Sequence, residues 1–300
     1  MTPTTNHILR EAVAKAASLI VSENRAVTFN GRTYPRFGWT VILAGGGGSG
    51  KGFQLNRTIP IDGKVINVDD YKAFFARMRG IDMDAADPEQ MNMIHMGVKR
   101  AGWKQKATDN ILSPETHSPD RLPNVIFDMT GRDPSNTVVD VAAQAKDSGY
   151  QVMLIWIVAN RSEALLRNLQ RPRHVPDRVL HQAHNSLHDD MPPFLRSRYA
   201  GMYLDDAWVI YGSLPDISAS DITGEDAKHI AVRLNRKGEG FDVPADVERR
   251  IYGIMGRNEA NPLEPETYLT STEIADRYGT PIGNGRYRID RTKVKDFYRR

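Results

Sequence analysis

The sequence predicts an α/β fold whose core is a parallel sheet covered by helices on both faces. Two observations lead to it. Apolar runs of five to nine residues alternate with segments of helical spacing, and the first run feeds straight into a glycine-rich loop followed by a helix. In sheets of this kind ligands sit at the carboxyl ends of the strands, so the residues that close each apolar run are the first candidates for chemistry.

Taken in order, "HILREAVAKAASLI" has helical periodicity, and "AVTFNGRTYPRF" reads as a hairpin because Asn30-Gly31 suits a type I′ turn; residues 1–38 form an N-terminal decoration. "WTVIL" is the first core strand and a helix is expected from about Lys51. "KVINV" ends at Asp69-Asp70, "NVIFD" at Asp128, and "YQVMLIWIV" at Asn160-Arg161. Helices are expected between them, at 70–79, 88–106, 135–148 and 161–170. A proline-punctuated lid follows at about 171–195, then a strand at 205–212, which closes a core spanning 39–212. Residues 213–264 read as accessory strands and a helix, and the composition of "NEANPLEPETY" places a boundary near Pro265.

The loop "AGGGGSGKGF" satisfies the G-x-x-x-x-G-K pattern of a phosphate-binding loop: Gly45, Gly46, Gly47, Gly48, Ser49, Gly50 and Lys51. Glycines let backbone amides converge on phosphate oxygens without Cβ clashes, and Lys51 and the helix N-terminus add positive potential. Gly52 stands where Ser or Thr usually meets magnesium. Magnesium, still needed to neutralise the phosphates of ATP, would therefore rest on phosphates, water and a carboxylate such as Asp128, with Ser49 as a further candidate. One of Asp69 and Asp70 should face the crevice as a general base, the alternative being that they cap the next helix. His181, His184 and His188 share helical spacing and read as a solvated lid helix. "KRAGWKQK", at 99–106, interleaves Trp103 with cations, which suits either strand binding or an ordinary basic helix.

Composition narrows the classes. The 300 residues contain no cysteine, which excludes disulfides, thiolate zinc sites and a cysteine nucleophile. No run reaches the roughly 18 apolar residues of a membrane helix and no signal-peptide pattern opens the chain, so a cytoplasmic protein without a membrane partner is expected. The net charge is only +3, yet residues 265–300 alone carry eight basic residues against five acidic ones. Their predicted order of helix, tight turn, strand and helix looks like a small winged helix that could contact DNA.

"NVDDYK", "VIFDMTGRDPS" and "LLRNLQRPRHVPDRVLHQAHNSL", together with the loop, resemble the polynucleotide 5′-kinases and, more distantly, the zeta-toxin sugar-nucleotide kinases, over about residues 39–195. The compact kinase with a basic tail also resembles phage-encoded kinases of hydroxymethylpyrimidine DNA. The resemblance implies Asp69 as base, Asp70 beside it, Lys72 in place of an arginine on the acceptor phosphate, and Asp128 and Thr130 on the third strand. It implies Arg171, with Arg173 as neighbour, as the lid arginine on the transferring group, and Arg132 as a further candidate in the crevice. The activity implied is ATP- and magnesium-dependent phosphorylation of a hydroxyl on DNA. The preferred acceptor is a hydroxymethylpyrimidine; the alternatives are a 5′-hydroxyl end, a UDP-sugar, or no transfer at all in an ATP-dependent binding or packaging protein. The location implied is the cytoplasm, that of the host for a phage protein.

Overall fold

The structure, a computed structural model, describes residues 26–29, 32–35, 37–57, 61–83, 88–112, 122–169, 175–212, 231–254, 279–283 and 286–289. Strands β1 (Ala26–Phe29) and β2 (Arg32–Pro35) pair antiparallel with Phe29 opposite Arg32, the register a two-residue connection requires. β3 (Trp39–Ala44) enters the loop, and α1 (Lys51–Arg57) leaves it. β4 (Lys64–Asn67) runs into α2 (Val68–Met78), followed by α3 (Pro88–Ala101) and α4 (Trp103–Leu112). β5 (Val125–Met129), α5 (Pro134–Asp147), β6 (Gln151–Val158) and α6 (Arg161–Leu169) continue the alternation. Next come α7 (Asp177–Arg196), α8 (Arg198–Tyr203) and β7 (Asp206–Tyr211). Then follow β8 (Ala231–Arg233), the short pair β9 (Arg236–Lys237) and β10 (Gly240–Phe241), and α9 (Ala245–Ile254). A last hairpin joins β11 (Gly279–Gly283) to β12 (Arg286–Ile289).

Six strands form one sheet in the order β4-β5-β3-β6-β7-β8, parallel except for β8. Its two faces are read directly from alternation. Ile42, Ala44, Val152, Leu154 and Trp156 join one buried cluster with α5, α7 and α9, whereas Val41, Leu43, Met153, Ile155 and Ile157 join a second with Tyr34 and Ile61. Both faces are buried at the central strands β3, β6 and β7, which is why these are continuous apolar runs and not alternating ones, whereas the edge strand β4 exposes Lys64 and Val65.

Three expectations change in detail. The helix expected at 70–79 starts at Val68, because Asn67 is its N-cap and accepts from the Asp69 amide at 2.8 Å. The single helix expected at 88–106 is two helices, broken at Gly102 in the left-handed region (φ +61°). The expected solvated lid helix with three histidines is instead α7, a 20-residue helix with one face in the core, in which His184 and His188 are buried. Within the expected winged helix only the β11–β12 hairpin is described; the flanking helices lie outside the described residues. No helix among the described residues is long and apolar enough to cross a membrane.

Candidate phosphoryl-transfer site

The loop between β3 and α1 is anchored at its start by the Gly45 amide, which donates to the Thr130 carbonyl at 3.1 Å. Gly48 (φ +75°) and Gly50 (φ +90°) occupy the left-handed region, where any side chain is strained. Gly46 is required for a different reason: a Cβ there would stand 2.4 Å from the His184 ring. Lys51 curls over the loop, its Nζ donating to the Gly45 carbonyl at 2.6 Å and lying 3.7 Å from Asp128 Oδ1. Ser49 Oγ is buried against Gly45 and has no hydrogen-bond partner among the described residues.

Parallel register brings the acidic side together. Asn67 on β4 lies opposite Asp128 on β5, which in turn lies opposite Leu43 on β3, two residues before Gly45. The Asn67 amide donates to Asp128 Oδ2 at 3.1 Å while its carbonyl oxygen caps α2 at Asp69. Asp69 is half-exposed in the first turn of α2, where its carboxylate accepts from Lys72 Nζ at 2.9 Å. Lys51, Asp128 and Asn67 are thus linked along the carboxyl edge as far as the backbone amide of Asp69, and the Asp69 carboxylate separately pairs with Lys72. Asp70 is exposed on the same turn, and it and burial raise the Tyr71 hydroxyl above its ordinary pKa, burial the more. Thr130 and Arg132 are exposed beyond β5, next to Gly131 (φ +69°) and Asp133, whose φ of +52° is the only positive value at a non-glycine residue among those described. Such strain gathers at functional loops.

On the opposite side of the loop stand cations that sequence reasoning missed. Arg161 opens α6 at the end of β6, is 3% exposed, and donates to Asn185 Oδ1 on α7 at 2.6 Å. Arg167, two turns further along α6, donates to the Gly48 carbonyl at 3.1 Å and the Gly212 carbonyl at 2.9 Å and pairs with Glu163. His184 Nε2 sits 2.9 Å from the Gly47 carbonyl oxygen, and burial, reinforced by Lys51, Arg161 and His181, lowers its pKa to about 4. It is therefore neutral at pH 7 and donates through Nε2. Arg171 and Arg173 lie outside the described residues. A signal for His184 was present: Leu180, Ala183, Leu187 and Met191 set an apolar stripe on which position 184 falls.

The donor set fits magnesium as hard-cation chemistry predicts. Asp128 is a partly exposed carboxylate beside Lys51, and one carboxylate with phosphates and water suffices for this ion. Among the described residues there is no cluster of three or more acidic or histidine side chains that would hold a metal on its own. Gly52 is exposed and a Cβ there would touch nothing within 4 Å, so the missing hydroxyl is not a steric requirement.

A glycine loop between strand and helix, a lysine reaching over it, and a carboxylate pair at the edge of a parallel sheet define a P-loop kinase, a phosphotransferase that uses ATP. The family model of the zeta toxins matches residues 32–195, more than half of the chain, and the chain belongs to that family. Among solved structures it is similar to the AvrRxo1-ORF1:AvrRxo1-ORF2 complex with sulphate ions, at 16% identity and a TM-score of 0.52, over 81% of this chain and 68% of that one. The complex with ATP gives 16% identity and a TM-score of 0.51 over the same shares, 81% and 68%. The PezAT toxin–antitoxin system of Streptococcus pneumoniae aligns at 12% identity, over 85% of this chain and 93% of that one, with a TM-score of 0.42. No curated protein matches the chain.

Proposed function

We propose that the protein transfers the γ-phosphoryl group of ATP to a hydroxyl of a nucleic-acid substrate, with a 5-hydroxymethylpyrimidine in DNA as the preferred acceptor and a 5′-hydroxyl end as the next. The observation that carries the transfer is that Lys51 lies beside Asp128, and Asn67, bonded to Asp128, caps the helix turn that bears Asp69 at the same carboxyl edge of the sheet. Asp69 takes the acceptor's proton, the acceptor oxygen bonds to the γ-phosphorus, and the bond to the bridging oxygen breaks to release ADP. Lys51 and Arg161, with Arg171 or Arg173 from the lid, meet the charge on the phosphoryl oxygens. Magnesium, held by Asp128, shields the phosphates when bound. Lys72, which pairs with Asp69 at 2.9 Å, would hold an acceptor phosphate in this reading.

The nucleic-acid acceptor is supported by the surface of α2 and α3. Phe74 is 52% exposed beside Trp103, with ring centroids 5.4 Å apart, and Arg79 and Arg100 line a cleft of about 730 Å³ with Phe75. One exposed ring, Phe74, among cations suits a stacked base and backbone phosphates. The basic segment 265–300 would add DNA contacts. Membership of the zeta toxin family favours a second reading, a sugar nucleotide as acceptor.

The test offers γ-labelled ATP with hydroxymethylpyrimidine DNA blocked at its ends, 5′-hydroxyl DNA and UDP-sugars. Label inside the blocked DNA supports the preferred acceptor and label at free ends the next one. Label on UDP-sugars alone overturns both in favour of the second reading.

A further inference from the structure

The four consecutive glycines have a consequence beyond room for phosphate. Glycine places almost no restraint on φ and ψ, so a run of four has no side chain of its own to keep its carbonyls turned away from an anion. Yet all four carbonyls are held. Gly45 O accepts from Lys51 Nζ at 2.6 Å and Gly46 O from the Ser49 amide at 3.2 Å. Gly47 O accepts from His184 Nε2 at 2.9 Å and Gly48 O from Arg167 Nη1 at 3.1 Å. The last two donors come from 137 and 119 residues away, on α7 and α6.

We propose that His184 and Arg167 are positioning residues that set the peptide planes of the phosphate loop. The inference rests on the nucleotide-loop reading above. A trans peptide is planar with its C=O and the following N–H pointing oppositely. Drawing Gly47 O toward α7 therefore turns the Gly48 amide to the opposite side, away from α7. Arg167 holds the Gly48 carbonyl and ties it to Gly212 just past β7, while the Ser49 amide at the other end of that peptide plane donates to the Gly46 carbonyl at 3.2 Å and closes the loop on itself. Gly46 is the contact that admits the imidazole, since a Cβ there would overlap the ring. His184 is 2% exposed, so the donor faces little competition from water. Both act through the loop backbone: His184 leaves the Gly48 amide turned toward an anion, and Arg167 fixes the next carbonyl so that this arrangement is preorganised.

The test compares His184→Gln, which keeps an N–H donor near the Nε2 position, with His184→Met, which keeps bulk and loses the donor. Binding of ATP and of inorganic tripolyphosphate, which has no base or sugar to contribute, is measured by calorimetry alongside KM and kcat. The methionine variant should weaken tripolyphosphate binding and raise the KM for ATP by about tenfold, the worth of one buried hydrogen bond, with kcat at saturating ATP changed less than about threefold. The glutamine variant should stay within about threefold of wild type throughout. Unchanged tripolyphosphate binding in the methionine variant, or equal loss in both, overturns the inference. Should the methionine variant not fold, the glutamine variant decides alone: retained affinity supports the role and a tenfold loss ends it. Lys51→Ala separates the two levels, because a lysine variant that binds tripolyphosphate as wild type does would refute the loop reading itself.

Discussion

Asp69 and Asp70 are neighbours in sequence, both exposed, and only the helix start distinguishes them. Because Asn67 caps α2, neither aspartate is consumed as a cap, and Asp69 is the one whose carboxylate pairs with Lys72, while its backbone amide meets Asn67 beside Asp128. Asp69→Asn should lower turnover by roughly 10²- to 10⁴-fold with ATP affinity nearly intact, while Asp70→Asn leaves turnover within a few-fold. Steady-state kinetics on the two variants decide the matter, and the reverse order would assign the base to Asp70. The role of Asn67 was not legible in the sequence, since Asp and Asn are equally good caps and only the phase of the helix chooses between them. Arg167 was hidden for another reason: a charged residue on a helix is usually solvated, and its partners here lie far off in sequence, at Gly48 and Gly212.

At the scale of elements, α7 couples the loop to the core through a histidine that stays neutral. The unfolded chain's His184 titrates near 6.5, the folded one near 4, chiefly because burial disfavours the imidazolium and because Lys51, Arg161 and His181 face it. His181 is lowered in the same direction, again mainly by burial. Between about pH 6.5 and pH 4 the unfolded state therefore binds more protons than the folded state, and stability falls as the pH falls, by up to ~1.4 kcal/mol per unit for His184. Urea midpoints at pH 7 and pH 5 should fall further in wild type than in His184→Gln, which removes that titration while the carboxylates remain. Parallel decline in the two proteins would mean that His184 is not held neutral. The central strands were legible because strands buried on both faces are short, β-branched apolar runs bounded by turn residues. The break at Gly102 was not, because helical spacing continues through it and a single glycine does not announce a left-handed residue.

For the whole molecule, the N-terminal hairpin is part of the core architecture through Tyr34, which packs edge-on against Trp39 and whose hydroxyl accepts from Trp208 Nε1 at 3.1 Å. Tyr34 donates its hydroxyl to Asp206 Oδ2 at 2.5 Å, and Asp206 also receives Arg233 Nε at 2.8 Å and Trp208 Nε1 at 3.3 Å. Tyr34→Phe leaves that carboxylate short of a donor in a dry site and should cost about 1–3 kcal/mol, read as a fall in Tm of several degrees with kinase activity retained. An unchanged Tm would show that the hairpin contributes nothing to the sheet it covers. The pairing of Tyr34 with a residue 172 positions away could not be read from pattern, whereas the glycine loop, its lysine and Asp128 on β5 could, because a glycine run and lysine directly after an apolar strand form a recognisable pattern; Asp69 and Asp70, expected at a strand end, lie instead in the first turn of α2. The account stands on the claim that these parts transfer phosphate to an acceptor and do not merely hydrolyse ATP. The direct measurement follows the γ-label of ATP with wild type and Lys51→Ala in the presence of hydroxyl acceptors. Covalent label on an acceptor hydroxyl, lost in the lysine variant, is the predicted result. Label found only in inorganic phosphate, or transfer undiminished in Lys51→Ala, would contradict it.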